Sequence, residues 1–224
     1  MLGMLVPLGI EKGTAFHPDA RQQKMLTEAA QLGELMARAN AYDKRYANAT
    51  VWPGKRWEYA NIVELDQDNN YYTQIDERDS WYYEAIGNTA GMQGRPLNFG
   101  QVYLETSKDK DGNWLDGGKT YRMRVPADPP VVQFWSFTLY DNVTRGPLLT
   151  PQGAADISSR TPGLVTNPDG SVDLYFGPQK PPGSNANYVQ TLPGKGWFTY
   201  FRFYGPKEAY FDKTWQLNDI EEVK

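Results

Sequence analysis

The stretch Val131–Asp141, with the sequence VVQFWSFTLYD, decides the fold. Its side chains alternate between two faces, and a period of two is typical of a β-strand. The two faces would carry Val131, Trp135, Phe137 and Leu139 on one side, and Phe134, Ser136, Thr138 and Tyr140 on the other. Because large apolar rings occur in both sets, we expect this strand to lie inside a sheet and to be covered on each face.

Further strands are predicted on either side of this stretch. Trp197–Tyr204 is a second aromatic segment with the same alternation, and three shorter β-prone runs are Val102–Glu105, Thr120–Val125 and Val172–Phe176. Short strands separated by turn signals are typical of two packed antiparallel sheets. The sequence therefore predicts a jelly-roll-like antiparallel β-sandwich.

Two segments between the strands have a composition of their own. Asn167–Gly170, NPDG, predicts a β-hairpin turn between two strands, because Pro presets φ and Gly accepts a positive φ. Residues 178–193 are rich in Pro, Gly and Asn and predict a long loop. Loops longer than about 12–15 residues are uncommon unless they are functional or disordered. We expect this loop to form the rim of a binding site.

A helical period precedes Gly94. Apolar residues at spacings of three and four predict an amphipathic helix between Pro18 and about Tyr46, with a stripe of Met25, Ala29, Leu32, Met36, Ala39 and Tyr42. The stripe must be covered, and a β-sheet is the expected surface. Asp79–Ala90 predicts a second, shorter helix. The sequence therefore predicts a helical and irregular segment, 1–94, packed on a β-sandwich, 95–224. This division predicts a mainly β protein of the α+β class.

Composition excludes several classes of protein. The 224 residues carry a formal net charge of −4 without a Lys/Arg block, so a nucleic-acid partner is not expected. The absence of Cys removes disulfide scaffolds, thiolate nucleophiles and zinc–thiolate sites. No apolar run approaches the roughly 20 residues of a membrane span, and Met1–Ile10 lacks the basic and cleavage regions of a signal peptide. A soluble protein is expected, and the compartment stays open, including a periplasmic or secreted parent protein.

Several motifs resemble a known family. They include Leu8–Gly13, Asp109–Gly117, Phe134–Ser136, Thr138–Asp141 and Arg202–Lys207. Together they are similar to the bacterial domain-of-unknown-function family 1214, the C-terminal member of tandem 1254/1214 proteins. The resemblance implies a jelly-roll-like domain preceded by a helical segment. It also implies a chain shortened at its N-terminus or separated from an upstream β domain, and it implies no activity.

This sequence departs from the family pattern at two positions. Glu84 is an acid where the family commonly has a base, and Tyr188 stands where Trp is expected.

Metal and cofactor sites are not expected. Asp109–Asp116 spaces its oxygen atoms like a calcium loop, but the twelfth position, which needs a bidentate Glu, is Thr120. A plain turn is the favoured interpretation. The single histidine, His17, excludes a multi-histidine metal site and is expected at the entry of the first helix. The chain has no nucleophile elbow, phosphate-cradling loop or dinucleotide fingerprint.

Aromatic, amide and guanidinium side chains supply a candidate ligand site. The proposed ligand-binding residues are Trp135, Tyr140, Arg160, Asn187, Arg202 and Tyr204. Arg202 would lie on the same face as Tyr204, where it could bind an anionic or hydroxylated ligand. The competing interpretation is that Arg202 pairs with Asp141 across the sheet, since a partly buried Arg generally has a carboxylate partner.

Three functions remain open from the sequence. The leading one is binding of a carbohydrate-like or other small polar organic ligand or glycan, through ring stacking and a few polar anchors. The second is a carboxylate-based hydrolase with Asp141 and a nearby acid, whose pKa values would be driven apart by unequal burial. The third is an assembly domain that buries exposed aromatics against a copy of itself or a missing upstream domain.

Overall fold

The computed structural model describes residues 2–46, 48–61, 68, 71–85, 96–181 and 187–223. Within them lie two short 3-10 turns, Leu2–Met4 and Val6–Leu8, and three helices: α1 (Ala20–Tyr42), α2 (Ile75–Glu84) and α3 (Glu208–Phe211). The nine strands are β1 (Glu58–Tyr59), β2 (Gln101–Thr106), β3 (Tyr121–Val125), β4 (Val131–Asp141), β5 (Asp156–Ser158), β6 (Val172–Gly177), β7 (Asn187–Gln190), β8 (Trp197–Pro206) and β9 (Glu221–Glu222).

The strands form two sheets that pack face to face. The larger sheet has the order β1-β2-β8-β4-β5 and is antiparallel throughout, and the smaller has the order β7-β6-β3-β9. The prediction of a mainly β, sandwich-like α+β fold is confirmed, with one difference. β7 runs parallel to β6, so the smaller sheet is mixed. The jelly-roll connectivity stays a prediction.

Aromatic rings fill the space between the two sheets. Phe137 of β4 stacks on Phe176 of β6 with ring centroids 4.7 Å apart, and Trp197 of β8 meets Tyr121 of β3 at 5.8 Å. Trp57, from the segment that precedes β1, is fully buried in the same core. Burying each of these side chains contributes roughly 1.5–3 kcal/mol. The 1–94 segment therefore supplies a strand and a core side chain to the sandwich.

The C-terminal segment completes the smaller sheet. β9 pairs with β3, and the Lys110 N–H donates to the Ile220 carbonyl. Leu217 and Ile220 are fully buried in the common core. The segment from Leu217 to Glu222 therefore covers both an edge of the smaller sheet and part of the interior.

The prediction of one long loop over residues 178–193 is wrong in its second half. Asn187–Gln190 is strand β7, paired with Leu174–Gly177 of β6. The four residues give a short and weak alternation, and the pairing is decided by the β6 edge beside them rather than by local sequence. Residues 182–186 lie outside the described part of the chain.

The prediction at Asn167–Gly170 is confirmed as a turn and wrong as a hairpin. Gly170 has φ +84°, and its N–H donates to the Asn167 carbonyl at 2.9 Å. However, the strand that follows, β6, pairs with β3 and β7 and not with the residues just before the turn. The Asn167 N–H also donates to the Ser171 carbonyl, and the Asn167 side chain binds Ser171 and Asp173, so backbone and side-chain hydrogen bonds together close the turn.

Helix α1 forms where predicted but does not bury the predicted stripe. Its N-terminus has a capping box in which Asp19 and Gln22 bind each other's backbone N–H. Among its side chains, Leu32 and Met36 are 59% and 53% exposed. The prediction that a sheet covers the stripe is wrong, because only the C-terminal part of α1, near Ala41, packs into the protein.

Helix α2 begins earlier than predicted. It spans Ile75–Glu84, and Asp76 and Glu77 in its first turn favour the positive end of the helix dipole. The predicted helix began at Asp79, and its last residues, 86–90, lie outside the described residues.

Two glycine substitutions test the packing of the fold. A Cβ on Gly117 would lie 2.1 Å from the Leu192 carbonyl oxygen and 2.8 Å from that of Lys195. Gly117→Ala is therefore expected to lower the free energy of unfolding by at least about 2 kcal/mol. Gly33→Ala, in α1 with no atom within 4 Å of the new Cβ, should raise it by up to about 1 kcal/mol. Urea unfolding followed by circular dichroism measures both, and equal stability of the two variants would contradict this account.

Candidate functional site

The face of the larger sheet that points away from the core, here called the outer face, carries Arg202 at its centre. β8 is the middle strand of five, and Arg202 lies opposite Tyr103 of β2 and Ser136 of β4. The alternation of β8 places Phe201 and Phe203 in the core and leaves Arg202 on the opposite side, partly buried. A guanidinium is thus held in the middle of a sheet surface rather than at its rim.

Hydroxyl groups bind the Arg202 guanidinium. Its Nη1 donates to Thr138 Oγ1 at 2.9 Å, and its Nη2 donates to Tyr140 Oη at 2.6 Å. The competing interpretation, pairing of Arg202 with Asp141, is wrong, because Asp141 Oδ2 binds Lys195 Nζ instead. Within the described part of the chain, no carboxylate lies at ion-pair distance from Arg202.

Tyrosine rings surround the same guanidinium. The Arg202 Cζ atom lies 5.1 Å from the ring centroids of both Tyr103 and Tyr200, and 5.7 Å from that of Tyr140. These distances are within the range of cation–π attraction. The faces of the rings stabilise the charge, and no described residue supplies it with a counter-ion.

An aromatic row continues the outer face toward β5. Phe134 and Tyr204 lie directly opposite each other on β4 and β8, and their rings are stacked with centroids 3.9 Å apart. Arg160, which is exposed, lies with its Cζ 4.2 Å from the Phe134 centroid. Ring faces, hydroxyls and two guanidinium groups therefore share one side of the sheet.

Helix α2 covers part of this face. Trp81 is buried together with Ala60, and the pair packs against Ala85, Tyr103 and Tyr200. The helix therefore forms one wall beside Arg202.

Buried charges lie where α1 ends against the sheet. Lys44, whose side chain is 2% exposed, forms a close ion pair with Glu105 and lies 3.8 Å from Glu58. Its Nζ also donates to the Ala41 carbonyl at 3.0 Å. Burial lowers the pKa of Lys44 and raises the pKa of Glu58. The two glutamates, opposite each other on β1 and β2, share this one ammonium group.

A second buried ion pair joins Glu84 at the end of α2 to Arg145. The Arg145 guanidinium carbon lies 4.3 Å from the Phe198 centroid and 4.8 Å from that of Tyr42. Burial raises the pKa of Glu84 to about 7, and the charge of Lys44 offsets part of that rise. Burial likewise raises the pKa of Tyr42 to about 12. The sequence marked Glu84 as an unusual acid but gave no signal for Arg145, its distant partner.

Of the six residues proposed as a ligand site, Tyr140, Arg202 and Tyr204 share the outer face and Arg160 lies at its edge. Trp135 points into the core, where it stacks on Phe201 at 5.5 Å.

Asn187 lies in the other sheet. Its side chain binds the backbone of Val165 and the carbonyl of Asp173. The ligand-binding role of all six stays a prediction, and the structure brings four of them together.

Asp141 closes a turn. Its Oδ1 accepts hydrogen bonds from the N–H groups of Val143 and Thr144 at 2.8 and 3.0 Å. Although burial acts in the opposite direction, these bonds and Lys195 hold the pKa of Asp141 below its usual range. A carboxylate fixed in this way favours the ionised form, so in the proposed hydrolase pair Asp141 would not be the general acid, and the pair itself stays a prediction.

The calcium-like segment forms a turn that the Asp109 side chain closes. Asp109 Oδ1 accepts hydrogen bonds from the N–H groups of Asp111 and Asn113, both at 2.9 Å. Over the described residues, no group of three or more His, Cys, Asp or Glu side chains is placed to hold a metal ion. His17 is exposed just before the Asp19 cap of α1. None of the described helices combines the length and apolarity needed to cross a membrane.

Comparison with known proteins supports the family resemblance for the sheet-rich half. Residues 100–208 match the family model described as "Protein of unknown function (DUF1214)". No curated protein matches the chain.

Two solved structures are similar to the chain. The VPA0106 protein from Vibrio parahaemolyticus has 21% sequence identity and a TM-score of 0.52, over 100% of this chain and 50% of that one. A putative uncharacterized protein from Burkholderia cenocepacia has 15% identity and a TM-score of 0.42, over 94% of this chain and 45% of that one. The chain thus spans about half the length of these proteins, and the Vibrio likeness shows a shared fold alone.

Glu84 predicts a pH dependence of stability. A carboxyl whose folded-state pKa is raised from 4.5 to about 7 favours the folded state while it is protonated. Its contribution is present below about pH 4.5 and is lost as the pH rises to about 7. The Arg145 contact opposes this shift. We take burial as the larger influence, because burial also lowers the pKa of Arg145 itself.

Glu84→Gln, which mimics the protonated acid, isolates this effect. Relative to Glu84→Gln, the free energy of unfolding of the wild type should fall by up to about 3 kcal/mol between pH 4.5 and 7 and then level off. Denaturant unfolding of both proteins across this range measures the difference. A difference that stays constant, or that rises with pH, would show that the Arg145 ion pair outweighs burial.

Proposed function

We propose that this chain, whose sheet-rich half resembles a family of unknown function, binds a small polar organic molecule of carbohydrate-like chemistry that carries an anionic group. The binding surface is the outer face around Arg202. One observation carries the proposal: a partly buried guanidinium whose partners, among the described residues, are hydroxyls and tyrosine rings rather than a carboxylate.

The charge of Arg202 supports an anionic ligand. Arginine is almost never fully buried unless it is paired, and the guanidinium of the partly buried Arg202 can bind a carboxylate through two parallel hydrogen bonds. Thr138 and Tyr140 each accept one hydrogen bond from the Arg202 guanidinium through an uncharged hydroxyl oxygen. A ligand carboxylate could use the remaining donors and supply the missing counter-charge.

The side chains around Arg202 support a hydroxylated ligand body. Ligand sites combine aromatic walls with a few placed polar groups. Tyr103, Tyr140 and Tyr200 each present a ring with a hydroxyl, and Phe134 and Tyr204 extend the apolar surface. Apolar ring faces next to phenolic hydroxyls suit a molecule that alternates C–H and O–H groups.

Calorimetry with paired sugars tests this function. Glucuronate and galacturonate should bind, and glucose and galactose should bind at least about tenfold more weakly, because they lack the charge-assisted hydrogen bonds to Arg202. Arg202→Gln should remove the preference for the acids, and Arg202→Lys should restore it in part. Arg124→Gln is the matched control, since Arg124 pairs with Asp173 on the other sheet. Equal binding of acids and neutral sugars, or no binding by any of them, would refute the proposal.

Self-association is a second candidate function, favoured by the exposed part of α1. Leu32, Leu35 and Met36 are each more than half exposed, and apolar surface of this kind is typical of contact faces. Light scattering during size exclusion should then show a dimer that Leu32→Glu converts to monomer. A wild-type monomer at millimolar concentration would dismiss it.

A further inference from the structure

A cleft of about 440 Å³ lies beside the C-terminal half of α1, away from Arg202. Its wall includes Arg38 and Tyr42 of the helix, Trp114 from the loop between β2 and β3, and Asn142 after β4. The volume lies in the range of small-molecule sites, about 300–1,000 Å³. None of the residues around Arg202 that carry the proposed function lines this cleft.

Trp114 provides an aromatic platform in the cleft. Its side chain is 56% exposed, although Leu115 beside it and Trp197 below are buried in the core. The Lys108 ammonium lies 4.6 Å from its ring centroid. This exposed ring, with a cation beside it and Tyr42 in the wall of the same cleft, leaves a surface on which a flat apolar group can stack.

The charge of the cleft is positive. Asp43, the carboxylate in its wall, already binds Lys108 at 2.6 Å and Arg45 at 3.1 Å. The hydrogen bond from Lys108 is the largest influence that holds the pKa of Asp43 below its usual range. Arg38 has no carboxylate at ion-pair distance within the described residues. The wall of the cleft therefore holds two cations, Arg38 and Arg45, and one carboxylate, Asp43, which Lys108 also pairs with from beside the cleft.

Polar groups near Tyr42 fix one end of the cleft. The Tyr42 hydroxyl donates to the Asn142 carbonyl at 2.6 Å, and the Ser107 hydroxyl donates to the Tyr42 carbonyl at 3.3 Å. These bonds tie the end of α1 to the loops after β2 and β4. The cleft is therefore built on anchored segments.

We propose that this cleft is a second ligand site, which binds a small aromatic anion with its ring on Trp114 and its oxyanion at Arg38. The ring takes the apolar surface that Trp114 leaves open, and a carboxylate, sulfonate or phosphate supplies a counter-charge that no described residue gives Arg38. The site is distinct in chemistry from the outer face, where hydroxyls dominate and the ligand body is expected to be polar.

Three probes that share one ring system test whether the charge of the ligand contributes to binding. 2-Naphthoate, 2-naphthylmethanol and 2-naphthylmethylamine share a ring system and differ in charge. Titration is followed by ¹H–¹⁵N correlation spectra, in which the Trp114 indole N–H is assigned by its loss in Trp114→Phe. 2-Naphthoate should shift this resonance and bind at least about tenfold more tightly than the alcohol, as expected for a charge-assisted contact. The amine should bind most weakly.

Variants locate the binding. Arg38→Gln should make the dissociation constants of 2-naphthoate and 2-naphthylmethanol equal. Arg21→Gln, an exposed arginine in the first turn of the same helix, should leave the tenfold preference unchanged. Trp114→Ala should weaken binding of all three probes, and because its side chain is exposed, circular dichroism should show an unchanged fold. Equal binding of acid and alcohol to the wild type, or an unchanged preference in Arg38→Gln, would overturn the proposal.

The Arg202→Gln variant keeps the two proposed sites apart. It should lose the preference for sugar acids and retain 2-naphthoate binding with the same Trp114 shift. Loss of 2-naphthoate binding in Arg202→Gln would place the aromatic anion on the outer face and refute the cleft as its site. If the wild type binds 2-naphthoate but no sugar acid, the proposed cleft site is supported and the proposed function is refuted.

Discussion

The antiparallel pairing of β4 with β8 is the constraint on which the rest of the structure depends. The register runs from Phe134 opposite Tyr204 to Asp141 opposite Trp197. Because side chains alternate along a strand, this register fixes which residues enter the core and which face outward. A shift of one residue in β8 would move Phe201 to the surface and bury the guanidinium of Arg202. The hydrophobic core and the candidate site are therefore two results of the same pairing.

The two faces of the larger sheet bury different kinds of side chain. The inner face buries rings at little cost, while the outer face holds charged groups under partial cover. Lys44 with Glu105, and Glu84 with Arg145, are each shielded as pairs, which limits but does not abolish the cost of removing them from water. Tyr42 links this region to the cleft, since its ring contacts Arg145 and also lines the cleft. The end of α1 thus belongs to both surfaces.

Sequence alone predicted the parts that have a strong local signal. The period of two predicted β4 and β8, and it placed Tyr140 on the face of β4 opposite Trp135 and Arg202 on the same face of β8 as Tyr204. Trp135 has the opposite parity from Tyr140 on the same strand, so its position in the core follows from the same rule that predicted the strand. The sequence analysis missed β7, because its four residues give too short an alternation to be recognised. They form a strand only because the edge of β6 is available for pairing.

Other features depend on contacts between distant segments and leave no local signal. Arg145 meets Glu84 and Arg38 meets the cleft of Trp114 only after the chain has folded. The amphipathic stripe of α1 predicted a buried helix, but burial depends on how far the helix extends past the sandwich, which no periodicity encodes. The pairing of Asp141 with Lys195 instead of Arg202 was decided by the turn after β4, whose N–H groups orient the carboxylate.

The position of Leu217, Ile220 and β9 in the interior has a consequence for synthesis on the ribosome. The nascent chain can form the β4–β8 pair as soon as residue 206 has left the exit tunnel. The β3 edge, however, stays open, and the core lacks two of its apolar side chains, until this last segment emerges. Closure of the smaller sheet therefore follows formation of the β4–β8 pair, and in the interval an exposed strand edge is available to chaperones or to other nascent chains.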